Sequence, residues 1–132
     1  MDALNKFAPN AHWLLRLALV GPFAFHGLGK FFDLAGSAEK MQMPVALVLV
    51  LGLVEVGAVV ILLAGGLAKD WMVRLAGLGL AGVMLGAIGM VHINFGWNSI
   101  GNMGMEFQVT LLLVALYFVI VGNGESAETE SI

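Results

Sequence analysis

The sequence contains no cysteine, which removes disulfides, thiolate metal sites, Cys-ligated clusters and thiol redox chemistry from this chain. Charge is nearly as scarce. Only 11% of the 132 residues are charged, against about 25% in a soluble globular domain. Six Lys plus Arg form no basic stripe, so a nucleic-acid partner is excluded. What is abundant is apolar: 60% of residues are hydrophobic, with 18 glycines besides, and the mean hydropathy is +0.95. Disorder requires the opposite composition. A water-soluble monomer of this size cannot hide so much apolar surface. Soluble enzymes are thereby excluded, and the chain reads as a small integral protein of the lipid bilayer.

A helix needs about 20 mostly apolar residues to cross the hydrocarbon layer. Four segments meet or approach that length: His12–Phe32, Pro44–Ala68, Trp71–Ile93 and Met105–Gly122. The connections Asp33–Met43, Lys69–Asp70 and Asn94–Gly104 are short enough to join antiparallel neighbours. The expected fold is therefore all-α, an integral-membrane, up-down four-helix bundle, with residues 1–122 as one transmembrane domain. Residues 123–132 are expected to form an acidic, disordered tail. Lys6 ahead of the first apolar run resembles the start of a signal peptide. Arg16 interrupts that run, however, and no small-x-small cleavage site follows, so the segment reads as a retained helix. Pro22 lies inside it and deprives Ala18 of a backbone donor, which predicts a kink.

Lys6, Arg16, Lys69 and Arg74 fall on one side of this arrangement, Lys30 and Lys40 on the other. The excess predicts both termini on the cytoplasmic side. Trp13-Leu14-Leu15-Arg16-Leu17-Ala18 reappears as Trp71-Met72-Val73-Arg74-Leu75-Ala76. This reads either as a parallel two-helix repeat or as ordinary interfacial anchoring, a Trp with a snorkelling Arg one turn on. Gly79, Gly82, Gly86 and Gly89 share one face of the third span and predict a close helix-packing seam, within this chain or against a second copy.

An ionisable group inside the membrane costs about 2.5–3.5 kcal/mol on insertion scales, so each needs a reason. His12, Arg16, His26 and Lys30 fall within an arc of roughly 80° on the first helix, whose polar side should face the interior or a partner. Glu55 is the sharpest of these residues. It carries the only charge between Lys40 and Lys69, flanked by Gly52 and Gly57. Its depth is about 16 Å below the start of the second span, at 1.5 Å per residue. Two readings are open for it: a buried ion pair with Lys30 or Arg16, or a carboxylate that handles protons or holds a ligand.

His26, Lys30, Glu55, His92 and Glu106 come from four helices into the outer half of one bundle, which predicts a polar pocket lined by Met, Phe and Leu. Each also has a structural reading. His26 can bond a backbone carbonyl in the core, and Lys30 can snorkel to the interface. His92 and Glu106 lie at helix ends, where polar groups are cheap, and Glu106 suits a positive helix N-terminus. The loop Asn94–Gly104 reads as a lid over the pocket or as an interfacial turn anchored by Trp97.

Several of these residues resemble the DoxX family. The first helix ends in Phe25-His26-Gly27-Leu28-Gly29-Lys30-Phe31-Phe32. Gly52-Leu53-Val54-Glu55 follows, then His92 before an Asn/Gly-rich loop, then Glu106-Phe107. The resemblance covers nearly the whole chain and implies a four-helix protein of the bacterial cytoplasmic (inner) membrane. Its relatives include the membrane subunit of a thiosulfate:quinone oxidoreductase, and others are linked to membrane-bound oxidative-stress complexes.

Two classes of function follow. The first is a redox-linked subunit that binds a quinone in the outer-half pocket. His26 and Lys30 would donate hydrogen bonds, Glu55 and His26 would serve the proton chemistry, and His92 or Glu106 would complete the contact. Electrons would come from another membrane or soluble redox subunit, because the chain has no intrinsic redox group. A variant is a haem b protein with His26 and His92 as axial ligands. The second class is non-enzymatic: an assembly or interaction subunit of a larger complex, a homo-oligomer or a small carrier. No metal site beyond haem is expected.

Overall fold

The structure, a computed structural model, describes residues 2–124, so the expected acidic tail lies outside the described residues except for its first two positions. Among the described residues there are six α-helices and no strand: α1 (Asp2–Asn5), α2 (His12–Phe32), α3 (Leu34–Met41), α4 (Val45–Ala64), α5 (Asp70–Met90) and α6 (Glu106–Val121). α2 has the expected bounds and runs through Pro22 without interruption. α4 and α5 are shorter than the apolar runs that contain them. Gly65, at φ 56°, stops α4 and leaves a 3-10 turn to Leu67, and a second turn, His92–Phe95, follows α5. α3 lies inside the segment expected to be a simple connection. The Asp33 carboxylate caps it, accepting the Gly36 N–H at 2.9 Å, and Gln42 in the left-handed region ends it.

α4 and α5 are long and apolar enough to cross a membrane. Only 33% of the apolar window of each is buried inside the protein, so most of their hydrophobic surface faces outward. A core helix of a soluble protein would be buried instead, and this outward apolar surface suits lipid. α2 has comparable length, but His12, Arg16, His26 and Lys30 dilute its apolar character, and α6 has 16 residues.

The four long helices pack in sequence, α2 on α4, α4 on α5 and α5 on α6, each pair antiparallel. Small residues at helix interfaces let backbones approach closely. Two glycines supply that approach. A Cβ on Gly77 would meet the Ala115 carbonyl of α6 at 2.8 Å, and one on Gly27 would meet Glu55 Cβ and Val56 of α4 at 3.0 Å. The dense core, including Leu19, Phe23, Leu62, Val73, Leu80, Ala115 and Phe118, sits toward the end where α2 begins and α6 finishes. We call this the closed end and the opposite one the open end.

The closed end corrects one expectation. Arg16 does not snorkel; it is 0% exposed. Its guanidinium donates to the Leu62 carbonyl (2.9 Å) and to Asn123 Oδ1 (2.6 Å), between the rings of Trp13 and Phe118 at 5.3 and 5.2 Å. Asn123 in turn donates to the Ala68 carbonyl and, through its backbone N–H, to Asp70. Arg74 bonds Asp70 and the carbonyls of Val119 and Ile120 at the end of α6. One network thus joins the closed-end termini of all four long helices.

Candidate functional site

The open half is not filled by its own side chains. It holds a cavity of about 660 Å³ walled by α2, α4, α5 and α6, with Met41 and Met43 from the end of α3 and the turn after it. The wall is largely apolar, and its polar groups are few: His26, Lys30, Glu55, His92 and Gln108.

Lys30 and Glu55 are the centre of this set. Lys30 Nζ donates to Glu55 Oε2 at 2.6 Å and to the His26 carbonyl at 3.2 Å, with side chains only 11% and 4% exposed. The sequence places Gly27 one turn before Lys30, and the missing Cβ there lets α4 come close enough for the lysine to reach. Of the two partners open for Glu55, the structure selects Lys30; Arg16 is engaged at the other end. The pair is neutral overall, which keeps two buried charges tolerable. Glu55 Oε1 takes no protein hydrogen bond among the described residues. Of the two glycines that flank Glu55, a Cβ on Gly52 would meet the Phe31 ring at 3.1 Å, whereas one on Gly57 would meet nothing within 4 Å.

His26 lines the cavity but is exposed, at the border with a second cavity of about 500 Å³ that also touches Ser37 and Lys40. His92 Nδ1 lies 2.7 Å from the Met103 carbonyl. A carbonyl only accepts, so Nδ1 carries the proton and donates, and Nε2 has no protein partner among the described residues. Glu106 is not among the lining residues. Its Oε1 accepts the Ser99 N–H at 2.9 Å, while Ser99 Oγ bridges Gly104 and Phe107. Glu106 therefore organises the loop ahead of α6, and four of the five expected residues share the cavity. The loop itself, residues 94–104, contributes nothing to the cavity wall and is tied down by its own bonds, such as Met105 N to Gly96 O at 3.0 Å. It forms a turn with Trp97 exposed, not a lid.

The glycine row makes its expected close approach within this chain at one position. Only Gly79 meets a neighbouring helix, with Val54 at 3.0 Å from its ideal Cβ; Cβ atoms on Gly82, Gly86 and Gly89 would meet nothing within 4 Å. Gly79, Gly82 and Gly86 line the cavity. The row is thus mostly cavity wall, and the tight seam against α6 belongs to Gly77.

Sequence reasoning missed Gln108. It stands two residues after Glu106, its Oε1 is buried without a hydrogen-bond partner, and it lines the cavity. The available signal was a lone amide in the apolar run of α6, one turn before the buried Leu111. An unsatisfied amide in such surroundings is costly and is normally met by a ligand, a water or a partner side chain.

The chain matches the DoxX family over residues 11–93, which takes in α2 to α5 with Lys30 and Glu55, while Gln108 lies beyond it. No curated protein and no solved structure matches the chain. A match over more than half of the sequence, on a fold with two helices able to cross a membrane, places this protein in the membrane-associated DoxX family.

Proposed function

We propose that this protein is a redox-linked, four-span subunit of the bacterial cytoplasmic membrane, with both termini cytoplasmic, that binds a quinone in the open-half cavity. One observation carries the reading: a neutral, buried Lys30–Glu55 pair on the wall of a largely apolar cavity of about 660 Å³. That volume falls within the usual range for small-molecule sites, roughly 300–1,000 Å³. A quinone head group is itself neutral, needs hydrogen bonds at two carbonyl oxygens, and carries an apolar tail. Lys30 donates at one oxygen. The side-chain amide of Gln108, on another part of the same wall, can donate at the second. Glu55, held by Lys30 through one oxygen, keeps the other free to take or give a proton. His26, at the border with the second cavity, connects that pair with the exposed rim.

A bound quinone supplies two-electron, two-proton chemistry, and its electrons must come from a partner subunit. This chain's part is to hold the head group, exclude water and manage protons at Glu55. Replacing Glu55 with Gln keeps the shape and removes the proton-exchanging group. Expected is retained quinone binding with loss of turnover in the purified complex; unchanged turnover would falsify the proton-handling role.

A haem b reading is favoured by one fact, the free Nε2 of His92 on the same cavity wall as His26. An absorption spectrum of the purified protein decides it, since two-histidine haem gives a Soret band. Stoichiometric recovery with a larger complex and no bound small molecule would instead favour an assembly subunit whose charges serve only each other.

A further inference from the structure

The cavity has a second arm, and it opens sideways. α4 and α5 touch at Gly79 and Val54. Beyond that contact, toward the open end, the same face of α5 carries Gly82 and Gly86, three and seven residues on. A side chain at either would meet no atom within 4 Å of its Cβ, yet both positions line the cavity, as does Leu47 on the facing side of α4. Leu47 and Leu78, also on the wall, are 43% and 58% exposed on the outer apolar surface. The cleft therefore runs from that surface to the buried Lys30–Glu55 pair.

We infer that this cleft between α4 and α5 holds the isoprenoid tail of the quinone, and that the ligand reaches the site from within the bilayer. The inference rests on the proposed function and adds the ligand's class, a long-tailed and lipid-borne quinone, together with its path. Two observations select this occupant. The cleft is apolar and is hollowed by two missing side chains, which suits one linear chain. It leads to a charge-neutral pair in a cavity whose wall also holds an uncharged amide, Gln108. A phospholipid filling the same cleft would bring a phosphate against groups whose charges already cancel, whereas a quinone head group brings none.

The test uses the purified full chain in lipid nanodiscs and two probes, a tail-less benzoquinone and the same head group with an isoprenoid tail. Gly82→Leu and Gly86→Leu put a side chain into the cleft from positions where a Cβ meets no atom within 4 Å. Both exchange a poor helix former for a good one, and the thermal midpoint of each variant checks the fold. Each should weaken binding of the tailed probe by about tenfold or more, toward the affinity of the tail-less one. Binding of the tail-less probe should stay unchanged. Gly89→Leu makes the same change outside the cavity and should affect neither probe. Unchanged binding of the tailed probe in both cleft variants overturns the inference, and so does an equal loss for both probes, which would make the cleft part of the head-group site. A wild-type protein that binds neither probe overturns the proposed function, and this inference with it.

Discussion

The two halves of the molecule each bury a cation from the same side of α2, and they satisfy it in opposite ways. Arg16, at the closed end, has no carboxylate. Its planar fork is met by a backbone carbonyl, by Asn123 and by two aromatic faces, all fixed parts of the protein. Lys30, roughly 21 Å further along the helix, has a full counter-charge in Glu55, but the pair lies against empty volume. The permanent charge of arginine suits a clamp that never changes state. A lysine paired with a glutamate can exchange a proton or a partner when something enters the cavity. Stability is therefore concentrated where the side chains interlock, and chemistry where glycines leave space.

The largest effect that would test this contrast comes from the open half. Glu55→Ala strands the Lys30 ammonium in an apolar wall and should cost about 3–5 kcal/mol, read as a fall in the thermal midpoint of the detergent-solubilised protein. Lys30→Met combined with Glu55→Leu removes both charges and should recover most of that loss while abolishing quinone binding. A double variant as unstable as the single one would show that the pair holds the fold together and is not a tolerated feature of a site.

At the closed end the pattern should differ. Arg16→Ala leaves a void between Trp13 and Phe118 and frees two buried acceptors, for about 3 kcal/mol. No second substitution should rescue it, since a backbone carbonyl cannot be removed. Asn123→Ala, which breaks the bonds to Arg16 and Ala68, should cost less, about 1–2 kcal/mol. If either variant altered ligand binding as strongly as stability, the separation between the halves would fail.

Much of this was legible in the sequence, and the misreadings have physical causes. Hydropathy located the long helices because each carries a long apolar run, and α2 appeared with its observed ends. The polar arc on α2 correctly implied that one side faces inward, as Arg16 and Lys30 do. It did not say which of its members would be engaged, and His26 remains exposed. The Lys30–Glu55 pair was one of two readings, because spacing gives depth but not the rotation of one helix against another. The same ignorance left the partner of the glycine row open: periodicity identifies a face, and only the neighbour's position tells whether that face meets a helix or a cavity. Asn123 was assigned to the tail and Gln108 passed over, since neutral amides carry no charge signal in an apolar context.

The smallest predicted effect uses the internal repeat. Arg74 occupies the position in Trp71-Met72-Val73-Arg74 that Arg16 occupies in Trp13-Leu14-Leu15-Arg16, and both arginines reach toward the end of α6. Their surroundings differ. The Arg74–Asp70 pair has side chains 43% and 39% exposed, so solvent screens the attraction, and its bonds to the Val119 and Ile120 carbonyls replace ones that water would otherwise make. Arg74→Ala should therefore cost less than about 1 kcal/mol. Salt gives a second readout. Raising the ionic strength should shrink the Arg74→Ala difference, because the pair is accessible to counter-ions, and leave the Arg16→Ala difference unchanged. Equal costs, or equal salt dependence, would mean that sequence repeat rather than burial sets the worth of these arginines, and the contrast between the clamp and its exposed counterpart would collapse.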